Sequence, residues 1–317
     1  MAISSVLLVG GTHGNELTGI HLVEHWQKNK KDRTYKDFEL SYMIGNPQAC
    51  LANKRYLDQD LNRCFQLSNL NNSSLDNVEQ KRAKEINQQI GPKGNSKTDF
   101  IIDLHTSTAN MQTNIVITKI DRFHLQLAAY LKQTLDNVVI TSEVELMDDH
   151  HFLNSVAEKR IVIEIGPIPQ GSIDYSIYKK TQDALIASFE FVSLFNQASL
   201  YNKNIELKLP DSIEVVSYYS KLKFPVDGFG NISACVHPDL IGQVYPVIEK
   251  GMPIFITFDG EDVLYDGETT QAAFINEAAY YDQGIAMSLC RPRYFSLTTC
   301  AEIDDSGSSQ YDETDEG

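Results

Sequence analysis

The sequence predicts an α/β protein, with a mostly parallel mixed sheet flanked by helices and a smaller β-rich C-terminal domain. From about residue 4 to residue 199, short β-branched apolar runs alternate with helical stretches, which is typical of a parallel sheet covered on both faces. After about residue 205, short strands separated by Gly and Pro turns replace this alternation. The 317 residues, 42% of them apolar, suffice for one large core or two moderate ones.

Each element of the first domain follows from its local apolar spacing. Val6–Val9 has the pattern of a buried strand, and the apolar residues between Glu16 and Trp26 recur at close to helical spacing. The further strand candidates are Leu40–Ile44, Phe100–Leu104, Asn114–Thr118, Val138–Thr141 and Ile161–Ile165. Helical segments are expected at about 77–90, 121–134 and 174–196. The Asn- and Ser-rich stretch Leu67–Asp76 predicts a surface loop.

A domain boundary is expected near residues 200–210, where the texture of the sequence changes. It separates a first domain, residues 1–205, from a β-rich domain, residues 206–302. The strand candidates of the second domain are Ile213–Tyr219, Pro253–Phe258 and Ala272–Ile275. Residues 303–317 are expected to form a disordered acidic tail, because they offer little apolar surface to offset the entropy of ordering.

Charge and hydropathy argue against several classes of protein. The chain has 27 basic and 43 acidic residues, a formal net charge of −16, so nucleic-acid binding is not expected. No apolar run approaches the roughly 20 residues of a membrane helix. The apolar N-terminal run lacks preceding basic residues and predicts a strand rather than a signal peptide, so we expect a cytoplasmic protein. Five widely spaced cysteines without a Cys-x-x-Cys motif predict free thiols.

The first chemically informative segment is the turn Gly10–Glu16, between a predicted strand and a predicted helix. Ligands in open α/β sheets bind outside the carboxyl ends of strands. His13 and Glu16 are three residues apart, so both can face one ion, and His105 ends another predicted strand. Two histidines and a glutamate are typical of catalytic zinc sites, which keep one coordination position open. Asp103, two residues before His105, is a candidate support for that ligand.

Other interpretations of these residues stay open. His13 and Glu16 also fit solvent-facing positions at a helix start, and His105 fits a structural histidine. A phosphate-binding turn is disfavoured, because the segment has neither Gly-x-Gly-x-x-Gly spacing nor a Gly-Lys-Ser/Thr ending. The predicted metal site depends on three candidate ligands lying at two strand ends.

Two further segments carry charged residues in informative positions. The loop Arg55–Arg63 is either a surface ion-pair cluster with Asp58 and Asp60 or a site where arginine binds a carboxylate or stabilises an oxyanion. Glu164 lies inside the apolar run Ile161–Ile165. An unpaired buried acid destabilises a fold, and burial raises a carboxyl pKa toward the range that suits a general base. We therefore expect Glu164 to have a function.

Together these motifs resemble the aspartoacylase and succinylglutamate desuccinylase family of zinc-dependent amidohydrolases, related in fold to zinc carboxypeptidases, and most closely its aspartoacylase branch. The matching stretches, in order up to about residue 285, are Gly10–Gly19, Asn46–Pro47, Arg55–Arg63, Asp103–His105, Asn110–Met111, Ile163–Gly171 and Asn276–Tyr281. The resemblance implies a zinc-carboxypeptidase-like catalytic domain over residues 1–205 and a β-rich domain over residues 206–302 that closes the substrate channel.

The resemblance also implies a role for each candidate site residue. The implied ligands of one zinc ion per chain are His13, Glu16 and His105. Glu164 is implied as the general base and Arg55 as the group that polarises the acyl carbonyl, and both contact the substrate. The residues implied to hold the α-carboxylate of the substrate are Asn62, Arg63 and, from the C-terminal domain, Tyr280.

The positions that select the substrate side chain depart from the pattern of the aspartoacylase branch. Asn154 replaces an arginine that pairs with the aspartate carboxylate, and His150 replaces a tyrosine. The lysines expected after the double tyrosine are replaced by Asp282, Gln283 and Gly284. Lys159 and Arg160 are near enough in sequence to compensate, although Arg160 begins a strand and also fits a solvent-facing position.

The resemblance predicts a zinc-dependent amidohydrolase that cleaves N-acyl-L-aspartate, such as N-acetyl-L-aspartate, to a carboxylate and L-aspartate. Two alternatives stay open. One is an aminoacylase for N-acyl aromatic or neutral amino acids, and the other is a zinc-containing interaction scaffold without activity. The predicted partner is a small-molecule substrate rather than a nucleic acid or a membrane, and the oligomeric state stays open.

Overall fold

The fold is built around one large mixed sheet with helices on both faces. The computed structural model describes residues 2–29, 34–144, 149–201 and 208–304. The strands are β1 (Ser5–Gly10), β2 (Glu39–Ile44), β3 (Phe100–Thr106), β4 (Gln112–Ile117), β5 (Val138–Ser142), β6 (Lys159–Gly166), β7 (Ser212–Lys223), β8 (Ala234–Val236), β9 (Val247–Ile248), β10 (Pro253–Thr257), β11 (Asp262–Leu264), β12 (Thr270–Ala273), β13 (Ile285–Ser296) and β14 (Glu302–Ile303). The α-helices are α1 (Leu17–Lys28), α2 (Pro47–Ala52), α3 (Leu67–Leu70), α4 (Val78–Ile90), α5 (Arg122–Thr134) and α6 (Tyr175–Tyr201).

The large sheet has the strand order β2-β1-β3-β6-β4-β5-β7-β13-β12-β9, with β14 added on β13. From β2 to β7 all neighbours are parallel except β4 and β6, which are antiparallel. The predicted α/β fold class, with a mostly parallel mixed sheet and a β-rich C-terminal part, is confirmed. Every strand and helix predicted in residues 1–205 lies at its expected position.

The β-rich C-terminal part shares the large sheet. β7 pairs in parallel with β5 through Thr141 with Val216 and Ser142 with Ser217, and antiparallel β13, β12 and β9 extend the sheet from there. A separate three-stranded sheet contains β8, β10 and β11. The C-terminal strands are therefore joined to the N-terminal part of the sheet by backbone hydrogen bonds. The predicted limit at residues 205 and 206 lies outside the described residues, and the domain limits stay predictions.

Side chains of β1 show how the sheet buries both of its faces. Val6 and Leu8 lie in an apolar cluster that α1, α5 and α6 cover, together with the fully buried Trp26. Leu7 and Val9 point into a second cluster on the opposite face, which α4 covers. Alternate residues of a strand face opposite sides, and each such buried side chain contributes about 1.5–3 kcal/mol. This arrangement explains the continuous apolar run in the sequence.

Four local features complete or correct the sequence predictions. The stretch expected to be a surface loop begins with the short helix α3, because Leu70 is buried. Ile303, the first residue of the predicted tail, belongs to β14 and pairs with Tyr294 of β13. Residues 305–317 lie outside the described part. All five cysteines are free thiols, as predicted. Within the described residues, no helix is both long and apolar enough to cross a membrane.

Candidate active site

The turn from β1 to α1 requires glycine at two positions. Gly11 has a φ of +68°, in the left-handed region that favours glycine. A Cβ atom at Gly14 would lie 2.0 Å from the carbonyl carbon of Ala49, so a side chain does not fit there. The close backbone approach holds His13 and Glu16 at the carboxyl end of β1, where the sequence predicts them.

His13, Glu16 and His105 converge at this strand end, and all three are buried. Nδ1 of His13 lies 2.7 Å from Oε1 of Glu16, and Nδ1 of His105 lies 3.0 Å from Oε2. The two Nδ1 atoms are 3.1 Å apart. Ligand distances of 2.0–2.1 Å in a tetrahedral zinc site place neighbouring ligand atoms about 3.3 Å apart. The three side chains therefore fit a single metal ion of zinc's size.

Two carboxylates hold the outer ring nitrogens of the histidines. Oδ2 of Asp103 lies 3.0 Å from Nε2 of His105, and Oδ1 of Asp60 lies 3.0 Å from Nε2 of His13. A carboxylate on the second nitrogen fixes the tautomer and orientation of a metal-binding histidine. The position of Asp103 agrees with the expectation from its spacing, whereas this role of Asp60 was not predicted.

Arg55 lies against the candidate metal site rather than in a surface cluster. Its Nη1 atom is 3.2 Å from Oε1 of Glu16, and its Nη2 atom is 3.0 Å from Oδ2 of Asp60. Burial alone would lower the pKa of Arg55, but Asp60 and Glu16 raise it above its ordinary value. A permanently charged donor therefore lines the cavity beside the candidate metal ligands.

A buried glutamate on α4 shapes the loop that carries Arg55. The carboxylate of Glu79 accepts hydrogen bonds from the backbone N–H groups of Leu57, Asp58 and Gln59 at 2.8, 3.1 and 3.3 Å. It also accepts a 3.0 Å hydrogen bond from Nδ2 of Asn46. Glu79 is fully buried, so these four donors are satisfied by one charged group away from water.

Glu164 stands beside the metal ligands. In the parallel pair of β3 and β6, Glu164 is opposite His105, so both side chains leave the same face of the sheet. Burial raises the pKa of Glu164 to about 8, with a further contribution from Glu16. A bound cation nearby would lower that pKa. Glu164 therefore lies beside the candidate metal ligands with a raised pKa.

These side chains line a cavity of about 540 Å³ that opens to solvent. The predicted site residues that line it are His13, Arg55, Asn62, Arg63, His105, Glu164 and Tyr280. Glu16, the remaining predicted residue, is 2% exposed and contacts His13 and His105 behind the wall.

Tyr280 enters the cavity from the C-terminal part of the chain, in the 3₁₀ turn Ala278–Gln283. The buried carboxylate of Glu277 holds this turn against the loop after β3. It accepts hydrogen bonds from the backbone N–H groups of Thr108 and Ala109 at 2.8 and 3.0 Å. The cavity is therefore closed by a segment distant in sequence from the metal ligands.

The residues expected to select the substrate side chain are not in this cavity. Asn154 is fully buried and donates a 3.0 Å hydrogen bond to the carbonyl of Ile161. Arg160 is also buried and donates to Oγ1 of Thr118 at 2.6 Å, so the expectation of a solvent-facing or compensating cation is wrong. Nζ of Lys159 lies 5.6 Å from the centre of the Phe123 ring.

Position along β6 explains the failure of these two cations to reach the site. Lys159 and Arg160 begin the strand, and Glu164 stands four residues beyond Arg160. Four residues of strand span about 13 Å. His150 is buried as well, and burial together with the charge of Arg160 lowers its pKa to about 4. His150 therefore stays neutral near pH 7.

Comparison with known proteins agrees with this geometry. Residues 2–191 match the succinylglutamate desuccinylase/aspartoacylase catalytic domain, and residues 211–292 match the AstE/AspA barrel-sandwich hybrid domain. The chain belongs to the succinylglutamate desuccinylase/aspartoacylase family. The predicted family and the predicted class of enzyme, an amide-cleaving hydrolase, are confirmed.

Relatives of this family member carry two different names. A probable aspartoacylase of Trichodesmium erythraeum is 40% identical over 91% of this chain and 97% of its own length. An N-acyl-aromatic-L-amino acid amidohydrolase (carboxylate-forming) of Xenopus laevis is 37% identical over 90% of this chain and 93% of its own. The crystal structure of murine aminoacylase 3 superposes with a TM-score of 0.86 at 30% identity, covering 94% and 98% of the two chains.

Four acidic residues near the site were missed by the sequence analysis of function. Asp60 and Glu277 lie in motifs that carry the family resemblance, so the sequence already indicated that they lie near the site. Glu79 lies on an amphipathic helix without any local signal of its role. Glu143 lines the cavity directly after β5. Its place after a strand end is the kind of signal that singled out His105.

Proposed function

We propose that this protein hydrolyses the amide bond of N-acyl L-amino acids and that it uses one zinc ion held by His13, Glu16 and His105. The observation that carries the proposal is the convergence of these ligands with Glu164 and Arg55 in one cavity. When bound, zinc supplies a Lewis acid that polarises carbonyl groups and lowers the pKa of water to about 7.

In the proposed reaction Glu164 moves the protons. Its carboxylate accepts a proton from the attacking water and then returns it to the nitrogen of the departing amine. The Arg55 guanidinium donates hydrogen bonds to the acyl oxygen while negative charge develops there, and the barrier falls because this donor is already in position. The products are a carboxylate and a free amino acid.

The α-carboxylate of the substrate is held on the opposite side of the cavity. Arg63 supplies the positive charge, and its Nη1 atom is oriented by a 2.8 Å hydrogen bond to the carbonyl of Asn62. Oδ1 of Asn62 accepts a 2.9 Å hydrogen bond from the backbone N–H of Leu153. The Nδ2 atom of Asn62 therefore points toward His105. Tyr280 adds a hydroxyl donor from the C-terminal turn.

N-acyl-L-aspartate stays the first substrate predicted from the family resemblance, with N-acyl aromatic or neutral amino acids as the alternative. The alternative gains support from Asn154, because neither this residue nor Lys159 or Arg160 places a cation in the cavity. The cytoplasmic location stays a prediction, and the oligomeric state stays open.

One assay tests the proposal. Purified protein of measured zinc content is incubated with N-acetyl derivatives of aspartate, tyrosine and leucine, and release of the free amino acid is followed. We expect hydrolysis of at least one of them, and its loss on treatment with a chelator. Full zinc loading without hydrolysis of any N-acyl amino acid would support the scaffold alternative instead.

A further inference from the structure

The catalytic cavity adjoins a second cavity of about 420 Å³. Four residues line both cavities: Arg63, Glu143, Phe274 and Tyr280. Under the proposed function, Arg63 and Tyr280 hold the α-carboxylate at this shared wall, so the Cα atom that carries the substrate side chain lies next to it. The other groups of the wall therefore act on that side chain from a short distance.

Part of the catalytic cavity is apolar. Val116 on β4 and Val162 on β6 are register partners in the antiparallel pair and both line the catalytic cavity. Phe152 and Phe274, both buried, line it from two other segments. Such a lining gains free energy by contact with an apolar or aromatic side chain of a ligand.

Glu143 is the acid of the shared wall. It is half-buried at the end of β5, and no described residue donates a hydrogen bond to its carboxylate or lies within ion-pair distance of it. Burial raises the pKa of Glu143, while the charges of Arg63 and Lys221 act against that rise. A carboxylate without a partner, facing a ligand cavity, presents negative charge to the ligand.

Two cations, Arg63 and Lys221, lie near Glu143. Arg63 is engaged by the α-carboxylate in the proposed function. Lys221 on β7 is exposed to solvent at the outer cavity, with its Nζ atom 5.6 Å from the centre of the Tyr280 ring. Because the side chain of Lys221 is partly in contact with water, its interaction with a carboxylate in the cavity is weakened.

We propose that Glu143 is a specificity-determining residue, which repels a carboxylate in the substrate side chain and so favours N-acyl amino acids with apolar or aromatic side chains. This inference rests on the proposed function. The reason is electrostatic: an aspartyl substrate must either face the Glu143 carboxylate as a like charge or force it to take up a proton, and both cost free energy.

The test compares wild-type holoenzyme with the Glu143→Gln variant at pH 8. The measured quantity is the ratio of kcat/KM for N-acetyl-L-aspartate to kcat/KM for N-acetyl-L-leucine. Glutamine keeps the size of the side chain and removes the charge. The matched control is Glu158→Gln, which removes an exposed carboxylate before β6, at the far end of that strand from Glu164. Zinc content and thermal unfolding of each variant are measured in parallel.

We expect Glu143→Gln to raise the ratio by about tenfold or more, because one removed repulsion changes the preference between two substrates, and Glu158→Gln to leave it unchanged. An unchanged ratio in Glu143→Gln, or an equal fall of kcat/KM for both substrates, would overturn the inference while leaving the proposed function intact. Absence of hydrolysis in the wild-type holoenzyme would instead refute the proposed function. If turnover of the variant is low, calorimetry measures the affinities for free L-aspartate and L-leucine instead. The inference then predicts that Glu143→Gln strengthens binding of L-aspartate relative to L-leucine.

Discussion

Replacing Glu79 by glutamine tests how the active-site loop is held in place. Glu79 lies on α4, outside the cavity, and accepts four hydrogen bonds through two carboxylate oxygens. In Glu79→Gln one oxygen becomes an amide group, which is itself a donor and faces two of the four donors. Two hydrogen bonds to a charged acceptor are lost, each worth about 1.5–3 kcal/mol. We therefore expect the free energy of unfolding to fall by about 3 kcal/mol or more.

The same change is expected to reduce activity, because the loop carries Arg55 and Arg63. A displacement of positioning groups by about 1 Å can cost up to 10²-fold in rate, and we expect kcat/KM to fall by about tenfold or more. The control is Glu85→Gln on the same helix, whose carboxylate is 65% exposed and pairs only with Arg82 at 3.3 Å. A surface change of this kind alters stability by less than about 0.5 kcal/mol.

Urea unfolding and steady-state kinetics measure both effects on the three proteins. The reasoning predicts a lower urea midpoint and lower kcat/KM for Glu79→Gln than for Glu85→Gln. If the two variants unfold at the same urea concentration, Glu79 does not hold the loop through these hydrogen bonds. If stability falls but kcat/KM does not, the loop keeps its geometry without Glu79, and the proposed link between the two is refuted.

Three further predictions concern the catalytic groups. Alanine in place of any one candidate metal ligand is expected to lower bound zinc well below one per chain and to abolish turnover. The reason is that a site with three protein ligands loses one of them. Metal analysis showing stoichiometric zinc in all three variants would contradict the assignment. Glu164→Gln is expected to retain zinc and to lose at least about 10²-fold in kcat, and near wild-type turnover would mean that another group is the base. Arg55→Ala is expected to lower kcat by roughly 10²- to 10³-fold. Arg63→Ala is expected to act mainly on KM, because holding the α-carboxylate stabilises ground and transition states alike. Steady-state kinetics showing the opposite pattern would mean that the two roles are exchanged.

The sequence predicted the strands and helices of the first domain well, because each has a characteristic spacing of apolar residues. The alternation of faces along a strand and the 3.6-residue repeat of a helix are visible in short windows. The metal ligands were predictable for the same reason. His13 and Glu16 lie in one turn, and His105 follows a recognisable strand, so the rule that sites form at strand ends applies directly.

The sequence by itself determined the fold class and the family, and it predicted the candidate metal ligands and the candidate base, since motifs and short-range periods carry that information. Only the tertiary structure decided which charged residues line the candidate cavity. Arg160 is close to Glu164 along the chain, yet it lies about 13 Å away along β6. Glu143 and Lys221 are far apart in sequence but border one cavity, because β5 and β7 are neighbours in the sheet. Electrostatic interaction depends on separation in space and on exposure to water, and neither quantity can be read from spacing along the chain.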